Sequence, residues 1–149
     1  MEISEQELQV FIDTVTHYFD QITNESAEVD TPYIKDEENV VMDYSGVIGI
    51  SGKTKGAIYF TANEDLLTDL LKATGHTEAV DSDLLQDMVG EVANTLSGNA
   101  RRSFGSNFMI SVPVVLKGAA NIRLPASIKT FVIPIIWRTY RSYLIVCLE

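Results

Sequence analysis

The sequence is poor in the residue types that most often build an active centre. It contains one cysteine and two histidines in 149 residues. A lone cysteine excludes an intrachain disulfide, and the apolar run YLIVCLE around Cys147 favours a small buried side chain over a reactive thiol. His17 and His76 lie far apart, and neither has metal-ligand spacing with the other or with the cysteine. We therefore expect no metal site of the protein's own.

Positive charge and long apolar runs are also scarce. Eleven Lys and Arg residues against 21 Asp and Glu residues give a formal net charge of −10, which repels a phosphate backbone or an anionic membrane. The longest apolar run, residues 131–137, contains Pro134 and is far shorter than the ~20 residues of a membrane span. The N-terminus is acidic from its second residue, unlike a secretory signal. These features predict a cytoplasmic protein that binds neither nucleic acid nor membrane.

The overall composition is that of a folded globular protein. Hydrophobic residues make up 46% of the chain and charged residues 21%, which excludes a disordered chain. Its 149 residues correspond to about one domain. We therefore predict a single domain over residues 1–149.

Helical and strand-like patterns alternate in the N-terminal half. Apolar residues recur at helical spacing over residues 4–22, where Ser4 and Glu7 form a candidate capping box. The polar segment TNESAEVDTP is expected to be an irregular exit from this helix. The segments NVVMDYSGVIGISG and GAIYFTA predict two strands joined by a KTK turn. NEDLLTDLLKATG predicts a short helix with Asn63 as its N-cap and Gly75 as its stop.

The C-terminal half begins with a long helix and continues as strands. The helix is predicted over residues 81–104, and the strands are FMISVPVVL, SIKTFVIPII and TYRSYLIVCLE. Pro134 within a strand-like run indicates an edge position or a bulge. Helix, proline and paired strands occur in each half, a weak sign of a pseudo-two-fold. The order α-β-β-α-α-β-β-β predicts an α/β protein of the α+β type, with long helices packed on an antiparallel sheet.

The long helix carries an ordered polar line opposite its apolar face. At about 100° of rotation per residue, Asp87, Glu91, Asn94 and Gly98 fall on one outward line, with Arg101 at its lower edge. The apolar face is formed by Leu85, Met88, Val89, Val92, Leu96 and Ala100. The sequence therefore predicts that an acid and an amide project together from this helix.

The residue types on and beside this line are unfavourable for helix stability. Asn94 is a poor residue for an exposed helix interior, and Gly90 and Gly98 each cost up to about 1 kcal/mol relative to alanine. Gly90 and Ser97 are expected to flank the line, where their small size leaves the helix surface beside it without bulky side chains. Such choices indicate a constraint other than stability. The alternative is an ordinary solvent-facing surface on which Glu-x-x-Asn occurs by chance.

The acid and the amide suit phosphoryl transfer to water. An amide can hold a water molecule in line with an electrophile, as the glutamine of GTPases does. Asn94 could act in this way if the phosphoryl group and its cation came with the substrate. Glu91 would then be a docking acid for a lysine or arginine of that substrate.

The segment DMVGEVANTLSGNA resembles the signature helix of the CheC/CheX/FliY phosphatases. Asp87, Glu91 and Asn94 match the signature positions, and the run from Ser97 to Asn99 is similar to the family's small-residue continuation. GVIGISGKTKGAIYFT, followed by LLTDLLKATG, is similar to the family's glycine-marked hairpin and the helix after it. The resemblance covers approximately residues 46–113.

The resemblance implies a CheC-like fold and a phosphatase that hydrolyses the aspartyl-phosphate of a CheY-like receiver domain in chemotaxis. Asn94 would orient the water and Glu91 would contact the receiver's lysine. Asp87, Gly98 and Arg101 would contact the partner, and the receiver would supply Mg²⁺, so no cofactor of the protein's own is expected.

Two-site relatives repeat the signature on the first helix. Here Val10 stands three residues after Glu7, so the chain looks most like CheX, whose members form homodimers.

Several alternatives stay open at this point. The family's proline position after the amide is occupied by Lys117, and Pro113 is the nearest candidate, so its role is undecided. Arg101 and Arg102 could touch an acidic receiver or complement the helix dipole.

Dimerisation would use the β-rich C-terminal third, where Trp137 belongs either to the core or to the interface. The other functions considered are a receiver-binding adaptor without catalysis, in chemotaxis or the flagellar switch, and a small-ligand sensor, for which no polar pocket pattern is present.

Overall fold

A computed structural model describes residues 3–35, 40–118 and 129–148 of the chain. Within these ranges the helices are α1 (Glu5–Thr23), α2 (Glu64–Ala73) and α3 (Ser82–Phe104). The strands of the described residues are β1 (Glu28–Val29), β2 (Tyr33–Ile34), β3 (Tyr44–Gly52), β4 (Gly56–Ala62), β5 (Phe108–Ile110), β6 (Val114–Lys117), β7 (Thr130–Trp137) and β8 (Tyr140–Leu148).

The helices begin at the side chains that the sequence predicts as caps. The Ser4 hydroxyl accepts from the Glu7 N–H at 3.1 Å, and the Glu7 carboxylate accepts from the Ser4 N–H at 3.1 Å, completing a capping box. Asn63 and Asp81 each accept from the N–H three residues further on, at 2.8 and 2.9 Å. Gly75, with a φ of +98°, follows the end of α2. The three predicted helices are thus confirmed.

The strands form one antiparallel sheet with the order β1-β7-β8-β4-β3-β5, in which β2 also pairs with β7 and β6 with β3. The helices α1 and α3 pack against it, which confirms the predicted fold class. In the described part of the chain no helix has both the length and the apolar composition needed to cross a membrane.

The strand boundaries differ from the prediction in three places. The segment read as an irregular exit contains β1, and β2 follows it, because main-chain groups there pair with the outer side of β7. The strand propensities of individual residues do not predict strands that are only two residues long. FMISVPVVL is divided into β5 and β6 around Pro113, which lacks the N–H that a continuous ladder needs. The first hairpin strand begins at Tyr44, later than predicted, and Asn39 lies outside the described residues.

Pro134 occupies an edge-facing position within β7 and causes no bulge. The register between β7 and β8 is continuous from Thr130 opposite Cys147 to Trp137 opposite Tyr140. The Pro134 carbonyl accepts from the Asp30 N–H at 3.1 Å. The main-chain nitrogen and carbonyl of Pro134 therefore point away from β8. The missing N–H therefore removes no bond from the β7–β8 ladder.

The helices α1 and α3 run antiparallel over the sheet. Phe11, in the first half of α1, contacts Phe104, the last residue of α3, with 5.5 Å between ring centroids. Phe19 of α1 lies 5.7 Å from the ring of Trp137, whose side chain is fully buried. Trp137 is therefore a core residue, and Cys147 is buried as the sequence indicates.

Candidate functional site

The polar line of α3 faces outward as the helical wheel predicts. Asp87, Glu91 and Asn94 are exposed, and Gly98 is half-buried. The residues of the apolar face are buried against the sheet and the other helices. Exposure of the acid and the amide on one line thus follows from burial of the opposite face.

A close approach between α3 and β3 sets the distance of α3 from the sheet. A Cβ on Gly46 of β3 would lie 2.7 Å from the Val89 carbonyl oxygen and 2.8 Å from the Ala93 Cβ. No side chain larger than hydrogen fits there, so glycine lets the helix backbone rest on the strand. This contact holds the turn of α3 that carries Glu91 and Asn94.

The two glycines of α3 have different explanations. Gly90 is buried, and a Cβ there would lie 2.8 Å from Val115 Cγ2, so a side chain at this position would have to displace Val115 of β6. A Cβ on Gly98 would have no described atom within 4 Å apart from the adjoining backbone of its own helix. Ser97 is also buried rather than flanking the line at the surface. The expectation that Gly90 and Ser97 keep the surface low is therefore wrong, whereas packing gives no reason for Gly98.

Different elements border the two sides of the polar line. Gly90 faces β6, and Pro113 Cβ lies 3.9 Å from the position of a Cβ on that glycine. Asn94 follows Gly90 by one turn, so it projects toward the side of Pro113 and β6. Glu91 lies on the other side, where it lines a groove of about 560 Å³ together with residues of α1.

The Glu91 side chain lies near Tyr18 of α1. Burial, and next the negative charge of Glu91, raise the pKa of the Tyr18 phenol. No described residue forms a hydrogen bond or an ion pair with the side chains of Glu91 or Asn94. The carboxylate and the amide are thus available to a partner.

The basic residues at the end of α3 have contacts of their own. Arg101 Nε donates to the Phe108 carbonyl oxygen at 3.0 Å and ties the last turn of α3 to β5. Arg102 is exposed and lines a groove with Asp13 and His17 of α1. Both cations lie in the last turn, where they complement the helix dipole. A contact of Arg101 with a partner stays a prediction.

The first helix has no equivalent of the acid–amide pair. The Glu7 carboxylate accepts a hydrogen bond in the capping box, and Val10 packs against the core. Across residues 3–35, 40–118 and 129–148, no group of three or more His, Cys, Asp or Glu side chains could hold a metal ion.

Sequence reasoning missed the neighbours that surround Glu91. Tyr18, Gln21 and Ile22 come from α1, and His76 comes from the connection between α2 and α3. These residues are far from Glu91 in the chain, and nothing in the local pattern of either helix marks them. Only the antiparallel packing of α1 on α3 brings them together.

An antiparallel sheet backed by two long helices is the CheC-like fold. One of these helices presents the exposed acid–amide pair. The sequence matches the family described as "Chemotaxis phosphatase CheX" over residues 44–136, more than half of the chain. The protein belongs to this chemotaxis phosphatase family.

Solved structures share this architecture over almost the whole chain. A CheX from Desulfovibrio desulfuricans is 27% identical with a TM-score of 0.84, covering 97% of this chain and 99% of its own. A protein from Desulfovibrio vulgaris Hildenborough is 25% identical with a TM-score of 0.85, covering 100% of both chains. The CheX–CheY–BeF₃–Mg²⁺ complex from Borrelia burgdorferi contains a chain with the same fold, 16% identical with a TM-score of 0.78, covering 99% of both. No curated protein matches the sequence.

Proposed function

We propose that this protein is a phosphatase that hydrolyses the aspartyl-phosphate of a CheY-like receiver domain in chemotaxis signalling. The observation that carries the proposal is the joint exposure of Glu91 and Asn94, which no described residue engages. Membership in the chemotaxis phosphatase family supports the activity. The Borrelia burgdorferi complex, in which a CheX is bound to CheY, supports the partner.

The proposed reaction is an in-line attack of water on the receiver's phosphoryl group. The Asn94 amide donates to and accepts from the water and directs its oxygen at phosphorus. The new phosphorus–oxygen bond forms as the bond to the aspartyl oxygen breaks, which releases inorganic phosphate and a free carboxylate. Glu91 pairs with the receiver's lysine and holds the two proteins in register.

The cation belongs to the receiver in this proposal. The Borrelia burgdorferi complex contains Mg²⁺ and BeF₃, a combination that suits a phosphoryl-like group at the receiver's site. The phosphatase contributes the positioned amide and the docking acid. Asp87 and Gly98 lie on the same line of α3 and Arg101 lies at its lower edge, and we assign all three to partner contact.

We further propose that residues 1–149 form a single CheX-like domain that acts in the cytoplasm as a homodimer. The fully buried Trp137 is unavailable to an interface, and β8 lies between β7 and β4. Within the C-terminal third, exposed apolar side chains lie on β5, β6 and their connection: Met109, Val112 and Val114. We assign the dimer contact to this edge of the sheet.

Phosphate release from a phosphorylated CheY-like receiver tests the proposed activity. The wild-type protein should accelerate release, Asn94→Ala should abolish the acceleration, and Glu91→Ala should mainly weaken association. Equal acceleration by the wild type and both variants would overturn the assignment. Capture of the receiver with its phosphate intact would instead identify an adaptor without catalysis.

A further inference from the structure

The groove beside Glu91 has walls from three elements of the fold. Gln21 and Ile22 of α1 form one wall, and His76 of the connection between α2 and α3 forms another. The largely buried Met88 lines it from α3, next to Glu91. Its volume of about 560 Å³ is large enough for several side chains of a protein loop.

Two side chains in this groove lack the contacts that they normally make inside a protein. Ile22 lies in the last turn of α1 and is 42% exposed, although it is apolar. The ring nitrogen Nε2 of His76 is buried and has no hydrogen-bond partner among the described residues. The His76 main-chain N–H, by contrast, donates to the Leu71 carbonyl oxygen at 3.0 Å. An apolar side chain in water and an unpaired buried nitrogen are both costs: a partner in the groove covers Ile22 directly, and it reaches His76 Nε2 once the ring turns toward the groove.

We propose that this groove is a second contact surface for the receiver, filled by a loop at the rim of the receiver's phosphorylation site. The inference rests on the proposed function. Because Glu91 lines the same groove as Ile22 and His76, a domain that takes up the Glu91 carboxylate at its phosphorylation site comes next to that groove. The rim of that site is therefore the nearest part of the receiver to the groove.

The chemistry of the groove defines the loop that it accepts. Glu91 is the one carboxylate among the lining residues, which include no lysine or arginine. An acidic loop would meet repulsion from Glu91 without a compensating cation. A loop with an aliphatic side chain fits, since that side chain covers Ile22 and Met88. A hydroxyl or amide beside it pairs with the His76 ring once the imidazole turns Nε2 toward the groove.

Hydrogen exchange tests the location of the contact without any substitution. The probe is a CheY-like receiver held in its phosphorylated-like form by BeF₃⁻ and Mg²⁺. Exchange should slow in the last turn of α1 and at residues 74–76, as well as along the polar line of α3. Slowing confined to α3 would overturn the inference and leave the proposed function intact. Failure of the receiver to bind at all would remove both.

Two variants test the energetic role of the groove. Ile22→Ala and His76→Gln should each raise the receiver concentration needed for half-maximal phosphate release about three- to tenfold, without lowering the maximal rate. Ile34→Ala is the matched control, because Ile34 is a 53% exposed isoleucine on β2 and does not line the groove. Thermal melting establishes that each variant is folded. If Ile22→Ala and His76→Gln behave as Ile34→Ala does while the wild type remains active, the groove has no role in docking.

Discussion

Gly46 of β3 lies so close to Val89 of α3 that a Cβ on residue 46 would stand 2.7 Å from the Val89 carbonyl oxygen. The obstructing atom belongs to the helix backbone, so it cannot be relieved by a rotamer change. The contact joins β3, the strand next to the β5–β6 edge of the sheet, to the turn of α3 that precedes Glu91. The position of the acid–amide pair above the sheet therefore depends on this glycine.

We expect Gly46→Ala to lower the free energy of unfolding by about 1–3 kcal/mol, because α3 must move away from β3 to admit the methyl group. Stimulation of phosphate release should fall as well, since Glu91 and Asn94 move with the helix. Urea unfolding measures the stability. Gly49→Ala on the same strand is the control, because a Cβ there meets only the Ser111 side chain, at 3.4 Å. Equal effects of the two substitutions would contradict the role of the close approach.

Gly98→Ala should stabilise the protein and weaken its function. No neighbour obstructs a methyl group at this position, and alanine is favoured over glycine in a helix by up to about 1 kcal/mol. The same methyl group would stand on the surface that we assign to the receiver and should raise the receiver concentration required for stimulation. Gly90→Ala is the contrasting variant, because contact with Val115 should cancel its gain in helix propensity. A stabilised Gly98→Ala protein with unchanged receiver affinity would show that the glycine serves no contact.

Glu91→Gln should weaken association with the receiver and leave the hydrolytic step unchanged. The amide keeps the shape of the side chain but removes the charge that we propose pairs with the receiver's lysine. Binding of the wild type should weaken as salt is raised, and the salt dependence should be smaller for Glu91→Gln. Phosphate release at saturating receiver measures the hydrolytic step. A fall in the maximal rate without loss of affinity would assign Glu91 to catalysis rather than docking.

The pair formed by Glu25 and Arg138 should make part of the stability depend on pH. Arg138 Nε and Nη2 donate to the Glu25 carboxylate at 2.8 and 2.7 Å, and these hydrogen bonds lower the pKa of that carboxyl. Its contribution is present above the ordinary glutamate pKa and is lost as the pH falls through the lowered pKa of the folded state. The difference in unfolding free energy between wild type and Glu25→Gln should therefore shrink on acidification.

Urea unfolding at a series of pH values measures that difference. The control is Glu28→Gln on the neighbouring strand β1, because the exposed Glu28 side chain makes no ion pair with a described residue. A gap between wild type and Glu25→Gln that stays constant down to the most acidic pH would contradict the linkage.

The outer edge of β5 and β6 should determine the oligomeric state. Val112 is 82% exposed and lies between Met109 and Val114, which are also exposed. Val112→Asp places a charge at the centre of the assigned contact and should shift the protein from dimer to monomer. Light scattering coupled to gel filtration measures the mass. A dimer that survives this substitution at low micromolar concentration would place the interface elsewhere.

The sequence by itself determined the helices and the outward line on α3, because both depend on neighbouring residues only. The caps at Ser4, Asn63 and Asp81 act within a single turn. The spacing of Glu91 and Asn94 fixes their common direction once the apolar face is buried. These features follow from helical periodicity, whatever the helix packs against.

Only the tertiary structure decided what surrounds that line. The two short strands on β7 form because an edge of the sheet is available, and residues 28–34 give no strand pattern of their own. Val115 is what opposes a side chain at position 90, and residues of α1 together with His76 form the groove beside Glu91. These contacts join residues distant in the chain, and their geometry depends on how the helices and the sheet pack rather than on any local preference.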